Sequence, residues 1–274
     1  MLKRLLLGLL FTGATLVQPG PARAQQAPFE HLPALRGDYF KIAARELNRD
    51  FHVFVRLPEK YEERTAERFP VVYVLDGDSL FPILAANHLF LTFDDGLPEA
   101  VIVGLAYGSF DPAKNFRGVD FAATATDGQP AGAAAFQRFL SDELIPSVEG
   151  RFRVDPQRRV LFGQSRGASF VLYSAFTQPD LFWGRIASNP AFEPDRDLFF
   201  GTPETARRKD LRLAVVSGTR DRPQFRADAT AWFEAWRNRS NLPWSLRTID
   251  FEGGTHAADS TNAYRAGMRW LFER

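Results

Sequence analysis

The stretch VLFGQSRGASFVLY, residues 160–173, decides the fold. Three apolar residues, Val160, Leu161 and Phe162, stop at Gly163; Ser165 stands between Gly163 and Gly167; a small-residue, apolar segment follows at once. This order predicts a strand, a sharp turn and a helix, with the serine on a strained turn that only slim neighbours permit. Such a serine exposes its hydroxyl above the sheet and backs onto a helix N-terminus, so Ser165 is a candidate nucleophile. The same pentapeptide also reads as a tight turn with an incidental serine, and with 20 glycines in 274 residues the pattern alone is only moderately specific.

Working outward, residues 39–46 and 50–57 alternate apolar and polar side chains across Leu47-Asn48-Arg49, which predicts an antiparallel hairpin. The runs VVYVLD (71–76) and VIVGLAY (101–107) are continuously apolar, as strands covered on both faces are. Beyond the elbow come GRIASNP (184–190), LRLAVVSG (211–218) and SLRTIDFEG (245–253), with helical patterns at 227–240 and 261–272. An amphipathic helix is expected in FQRFLSDELIPSVEGRF, kinked at Pro146. Strands alternating with helices predict an α/β fold: a mostly parallel central sheet, an N-terminal antiparallel hairpin and helices on both faces. The charged, turn-rich segment 193–210 reads as an insertion capping the C-terminal edge of the sheet and shaping a pocket there.

Residues 1–24 read as a secretory signal peptide: Lys3 and Arg4, an apolar run over 5–17, then Pro19, Pro21 and Ala22-Arg23-Ala24, with cleavage expected after Ala24. The apolar run is too short to span a bilayer comfortably, and no second one follows, so no membrane span is expected after cleavage. The sequence contains no cysteine, which excludes a disulfide framework, thiolate chemistry and lipid attachment at the cleavage site. A bacterial periplasmic or secreted location is expected. Residues 25–274 are of a size for one domain. Removing Lys3, Arg4 and Arg23 from 34 Lys+Arg against 33 Asp+Glu leaves a net charge of −2, and nothing in that balance argues for nucleic acid.

A serine hydroxyl needs a base to take its proton. His31, His52 and His88 fall near the N-terminus, in the hairpin and in a helical pattern, whereas His256 lies in the Gly-rich loop FEGGTHAAD after the last strand, with room to reach over the sheet. The acid that orients the imidazole should come from the same edge. Asp221, just past LRLAVVSG, is the first choice, in the chain order Ser, Asp, His that this fold uses; Asp228 and Asp259 are alternatives. The oxyanion needs two N–H donors, assigned to the backbone of Arg166 and to the Gly77-Asp78 turn, with Asp78 as the second donor. Asp76-Gly77-Asp78 lacks the spaced oxygen ligands of a calcium loop, so neither metal nor organic cofactor is expected.

Taken together, VVYVLDGDSLF (71–81), FRGVDF (116–121), the long stretch 139–192, SGTRD (217–221) and EGGTHAAD (252–259) resemble the esterase group of α/β-hydrolases that includes esterase D-like enzymes and trilactone siderophore esterases. The resemblance spans nearly all of residues 25–274 and implies Ser165 as nucleophile, His256 as base and Asp221 as acid. Ala168 stands where members commonly carry a second glycine, and Asn189-Pro190 where they usually carry Ser-Pro. The implied function is an exported serine esterase acting on a small acyl ester or a siderophore trilactone. An acyltransferase with the same triad and an inactive hydrolase-like binding protein are the competing readings. Arg117, Arg166 and Arg220 are candidates to meet an anionic ligand.

Overall fold

Successive residues of a strand face opposite sides of a sheet, and β3 (Phe69–Val74) divides its side chains accordingly: Val71 and Tyr73 enter one buried cluster, Val72 and Val74 another. The computed structural model, which describes residues 37–126 and 128–273, extends this division along β4 (Val101–Ala106), β5 (Val154–Gln164) and β7 (Arg212–Gly218). Val103, Leu161 and Val215 face one layer; Ile102, Phe162 and Ala214 face the other. Both faces are therefore covered, which is why these strands read as unbroken apolar runs.

With β1 (Gly37–Ala44), β2 (Arg49–Arg56), β6 (Gly184–Ser188) and β8 (Ser245–Phe251), the strands form an eight-stranded sheet in the order β1-β2-β4-β3-β5-β6-β7-β8. The β1–β2 and β2–β4 pairings are antiparallel, and the remaining pairings, from β4 through to β8, are parallel. This is the predicted α/β arrangement with its N-terminal hairpin. On one face lie α1 (Gly77–Asp94) and α8 (Ser260–Leu271), burying Leu84, Leu91, Tyr264 and Met268. On the other lie α3 (Ala133–Phe139), α4 (Ile145–Arg151), α5 (Arg166–Thr177) and α7 (Pro223–Arg237), burying Phe136, Ile145, Phe170 and Trp232, with the single turn α2 (Arg117–Asp120) against α3 and α5.

Two expectations need correction. The helix expected to kink at Pro146 is instead interrupted before it, by a π-helical turn over Leu140–Leu144 from which α4 restarts at Ile145. Pro146 then lies in the first turn of α4, directly after the wider turn in which the Ile145 N–H reaches back to the Leu140 carbonyl. The segment 193–210 does not line the cavity at Ser165. Its short helix α6 (Arg196–Phe200) buries Phe199 against Phe176 and Phe192, and the Phe199 carbonyl accepts the indole N–H of both Trp232 and Trp236. These aromatic anchors draw the segment under α7, and residues 202–209 continue to a separate cleft shared with 236–248. The signal-peptide expectation for residues 1–24, and His31, lie outside the described residues. Among the described residues, no helix is long and apolar enough to cross a membrane.

Candidate active site

The elbow is built by close approach. A Cβ on Gly163 would sit 2.3 Å from the carbonyl oxygen of Gly167, and one on Gly167 would sit 3.0 Å from a carboxylate oxygen of Asp76. With both side chains absent, β5 passes directly into α5, and Ser165 between them takes φ 58 and ψ −120, a conformation that side-chain-bearing residues rarely adopt. Its N–H donates to the Ser188 carbonyl at 2.9 Å, which ties the strained residue to the end of the neighbouring strand β6.

Strands β5, β7 and β8 run in parallel, so the loops after them gather at one edge of the sheet. There the Ser165 hydroxyl donates to Nε2 of His256 at 2.8 Å. The Nδ1–H of His256 faces both oxygens of Asp221, at 2.9 and 3.0 Å. The Asp221 side chain is 1% exposed and that of His256 19%. All three residues of the expected triad are thus in one hydrogen-bonded chain. The two alternative acids point elsewhere: Asp228 pairs with Arg196 at 2.7 Å, and Asp259 accepts from the Thr255 N–H and from Asn262.

The loops carrying the acid and the base are stitched to one another. Thr219 N–H donates to the Phe251 carbonyl at 3.0 Å, Arg220 N–H to the Gly254 carbonyl at 2.8 Å, and Gly253 N–H to the Thr219 hydroxyl at 2.8 Å. Three further residues hold His256, none of which stands out in the sequence as functional. Asn189, buried and at φ 47, accepts from Gly218 N–H at 2.7 Å and donates to the His256 carbonyl at 3.1 Å. Gln164 donates to the same carbonyl at 2.6 Å. The ring of Phe225 stacks on the imidazole, 4.6 Å between centroids and 14° between planes. Asn189 was visible only as a departure from Ser-Pro, and Phe225 gave no signal.

The candidate oxyanion donors share a topological origin. Strands β3 and β5 are neighbours, and α1 and α5 start where those strands end, so two helix N-termini converge beside Ser165. Their first-turn N–H groups have no partner within the helix. Arg166 is the first residue of α5 and Asp78 the second of α1. The Asp78 carboxylate accepts the N–H groups of Tyr107 and Gly108, both at 2.8 Å, which clamps the start of α1 to the end of β4. Asp76, at φ 53, receives a two-pronged pair from Arg117 at 2.7 and 3.0 Å. Both carboxylates of the DGD turn are thereby engaged, and among the described residues no cluster of three or more ligand-type side chains could hold a metal ion.

Ser165 opens into a cavity of about 360 Å³ whose walls include Asp78, Ile83, Phe110, Arg117 and Ala257. Of the three arginines considered for an anion, Arg117 lines this cavity, whereas Arg220 is exposed outside it and Arg166 reaches the Gly118 carbonyl at 3.4 Å. The arrangement is able to deliver a hydroxyl oxygen to a carbonyl carbon, relay its proton through an oriented imidazole, and stabilise the resulting oxyanion.

The chain is similar in sequence and in fold to known proteins. The ferri-bacillibactin esterase BesA of Bacillus subtilis (strain 168) is 30% identical over 165 residues, 55% of this chain and 56% of that protein. The apo-salmochelin esterase of Escherichia coli O6:H1 is 28% identical over 137 residues, 46% of this chain and 42% of that protein. The chain therefore spans about half the length of these two relatives. Among solved structures, the BES protein from Bacillus cereus superposes over 90% of this chain and 99% of its own with a TM-score of 0.74 at 19% identity, a likeness of fold. Residues 44–272 match the family described as "Putative esterase", and the chain belongs to that family.

Proposed function

We propose that this protein is an exported serine carboxylic-ester hydrolase that works through an acyl-enzyme on Ser165. The observation that carries the reading is the continuous chain from the Ser165 hydroxyl through His256 to buried Asp221. In this mechanism Oγ attacks the ester carbonyl as its proton passes to Nε2, and Asp221 stabilises the imidazolium that forms. The backbone N–H groups of Arg166 and Asp78 receive the oxyanion. His256 returns the proton to the departing alcohol, and water then cleaves the acyl-enzyme by the same route. Two relatives named as a ferri-bacillibactin esterase and an apo-salmochelin esterase support a siderophore trilactone as substrate, and small acyl esters are the simpler class. Export is supported by the basic, apolar and Ala-Arg-Ala pattern of residues 1–24.

The test is hydrolysis of p-nitrophenyl esters of increasing acyl length beside a catecholate trilactone, with intact-mass analysis after a serine-directed phosphonate. Wild type should hydrolyse at least one ester class and acquire one phosphonyl adduct at Ser165. Ser165→Ala should fold normally, lose the adduct and fall in kcat by about 10⁴-fold or more. Undiminished turnover in Ser165→Ala would reject the nucleophile, and an absent adduct with no turnover would favour a binding protein.

A further inference from the structure

The cavity at Ser165 carries an exposed aromatic side chain that neither fold nor triad requires. Phe110 is 72% exposed and Ile83 51% exposed, yet both line the wall of the 360 Å³ cavity. Leaving a phenyl ring in water forfeits its burial, so exposed large apolar groups at a cavity mouth mark the place where a ligand completes the packing. The ring is not on a loose loop. Asp78 fixes Gly108 N–H at 2.8 Å, and the Ser109 hydroxyl accepts Asp111 N–H at 3.0 Å. Asn115 donates from its side chain to the Ser109 carbonyl at 2.9 Å, while the Asp111 carbonyl accepts the N–H groups of both Lys114 and Asn115 at 2.8 Å. Phe110 is thus presented by a turn braced on both sides, and Ile83 by the second turn of α1, so little order is lost when a ligand seats between them.

Resting on the esterase reading, we propose that Phe110 and Ile83 form an apolar clamp that selects esters bearing an aromatic ring beside the scissile bond. A ring is favoured over a short alkyl group because it gains offset or edge contact with Phe110 in addition to area burial. The cavity is of a size for one such ester unit at a time. The same cavity is also lined by Asn115 and the Asp76-paired Arg117, so its lining is part apolar and part polar.

The experiment compares ethyl acetate, ethyl benzoate and phenyl acetate in wild type, Phe110→Ala, Phe110→Trp and Ile83→Ala by pH-stat. Intrinsic ester reactivity cancels in each variant-to-wild-type ratio. The expected result is that Phe110→Ala loses about tenfold more in kcat/KM on at least one aromatic ester than on ethyl acetate, mainly through KM. Phe110→Trp should retain the preference, and Ile83→Ala should lose a smaller share. An equal ratio for all three esters would overturn the clamp while leaving the esterase reading intact. Should wild type hydrolyse none of them, the esterase reading suffers, and the clamp is read instead from calorimetric titration of phenyl acetate into Ser165→Ala with and without Phe110→Ala. Weaker binding in the double variant supports it, and equal binding overturns it.

Discussion

In the proposed mechanism Asp221 acts through a single ring nitrogen of His256. With both of its oxygens near Nδ1, at 2.9 and 3.0 Å, the carboxylate holds the proton there and leaves Nε2 free to accept from Ser165. Asp221→Asn presents an amide N–H to the same nitrogen and favours the opposite tautomer, with Nε2 protonated and no longer basic. The expected outcome in steady-state kinetics is a kcat lower by about 10³–10⁴-fold with KM little changed; a fall below tenfold would mean that the acid contributes little. Ser165, Asp221 and His256 were legible because each sits in a local pattern: the elbow, a loop after an apolar strand, and a Gly-rich loop after the last strand. Asn189 and Phe225 were not, because their roles depend on long-range contacts. Asn189 bridges Gly218 and His256, which are 29 and 67 residues away, and Phe225 meets the imidazole only once α7 has folded back.

The same distinction holds for α1. Its sequence is apolar all round between Asp78 and Asp94 apart from polar Ser79, Asn87, His88 and Thr92, so its position beside the sheet was readable but its orientation was not. Orientation comes from its first turn, where Asp78 grips the N–H groups of Tyr107 and Gly108 at the end of β4. That grip fixes the turn bearing the proposed second oxyanion donor relative to the proposed donor at Arg166. Removing it leaves two donors without their acceptor and lets the turn drift, and small displacements in an oxyanion site are costly to the transition state rather than to substrate binding. Asp78→Ala should therefore lower kcat by about 10–100-fold at nearly constant KM, and Asp78→Asn, which keeps one oxygen acceptor, should recover part of it. Unchanged kcat in Asp78→Ala would show that the turn is held without the carboxylate. The break before α4 was partly legible in the same way: Pro146 announced an interruption, but a proline cannot say whether the helix kinks at it or widens into a π-helical turn ahead of it.

At the scale of the whole molecule, the layer of α1 and α8 is joined through His88. The imidazole is 4% exposed, donates from Nε2 to the Pro98 carbonyl at 3.1 Å, and accepts at Nδ1 from the Tyr264 hydroxyl at 2.9 Å, across 176 residues of sequence. Both ring nitrogens are satisfied in the neutral form, and burial pushes the imidazole down to about 4 from its ordinary value of 6.5. Below about pH 6.5 the unfolded chain takes up a proton here that the folded protein does not accept until about pH 4, so stability falls as pH drops through that window. Across the full window the loss is about 3 kcal/mol, and between pH 7.5 and 5.0 about 2 kcal/mol. Urea denaturation at these two pH values should show wild type losing that increment. In His88→Gln, which cannot titrate and keeps a polar group facing Tyr264, the difference between the two pH values should be smaller by the same amount, even if the variant starts from a lower stability. An identical pH dependence in the two proteins would mean that the acid sensitivity of the fold lies in another buried group and that His88 binds its proton equally well folded and unfolded.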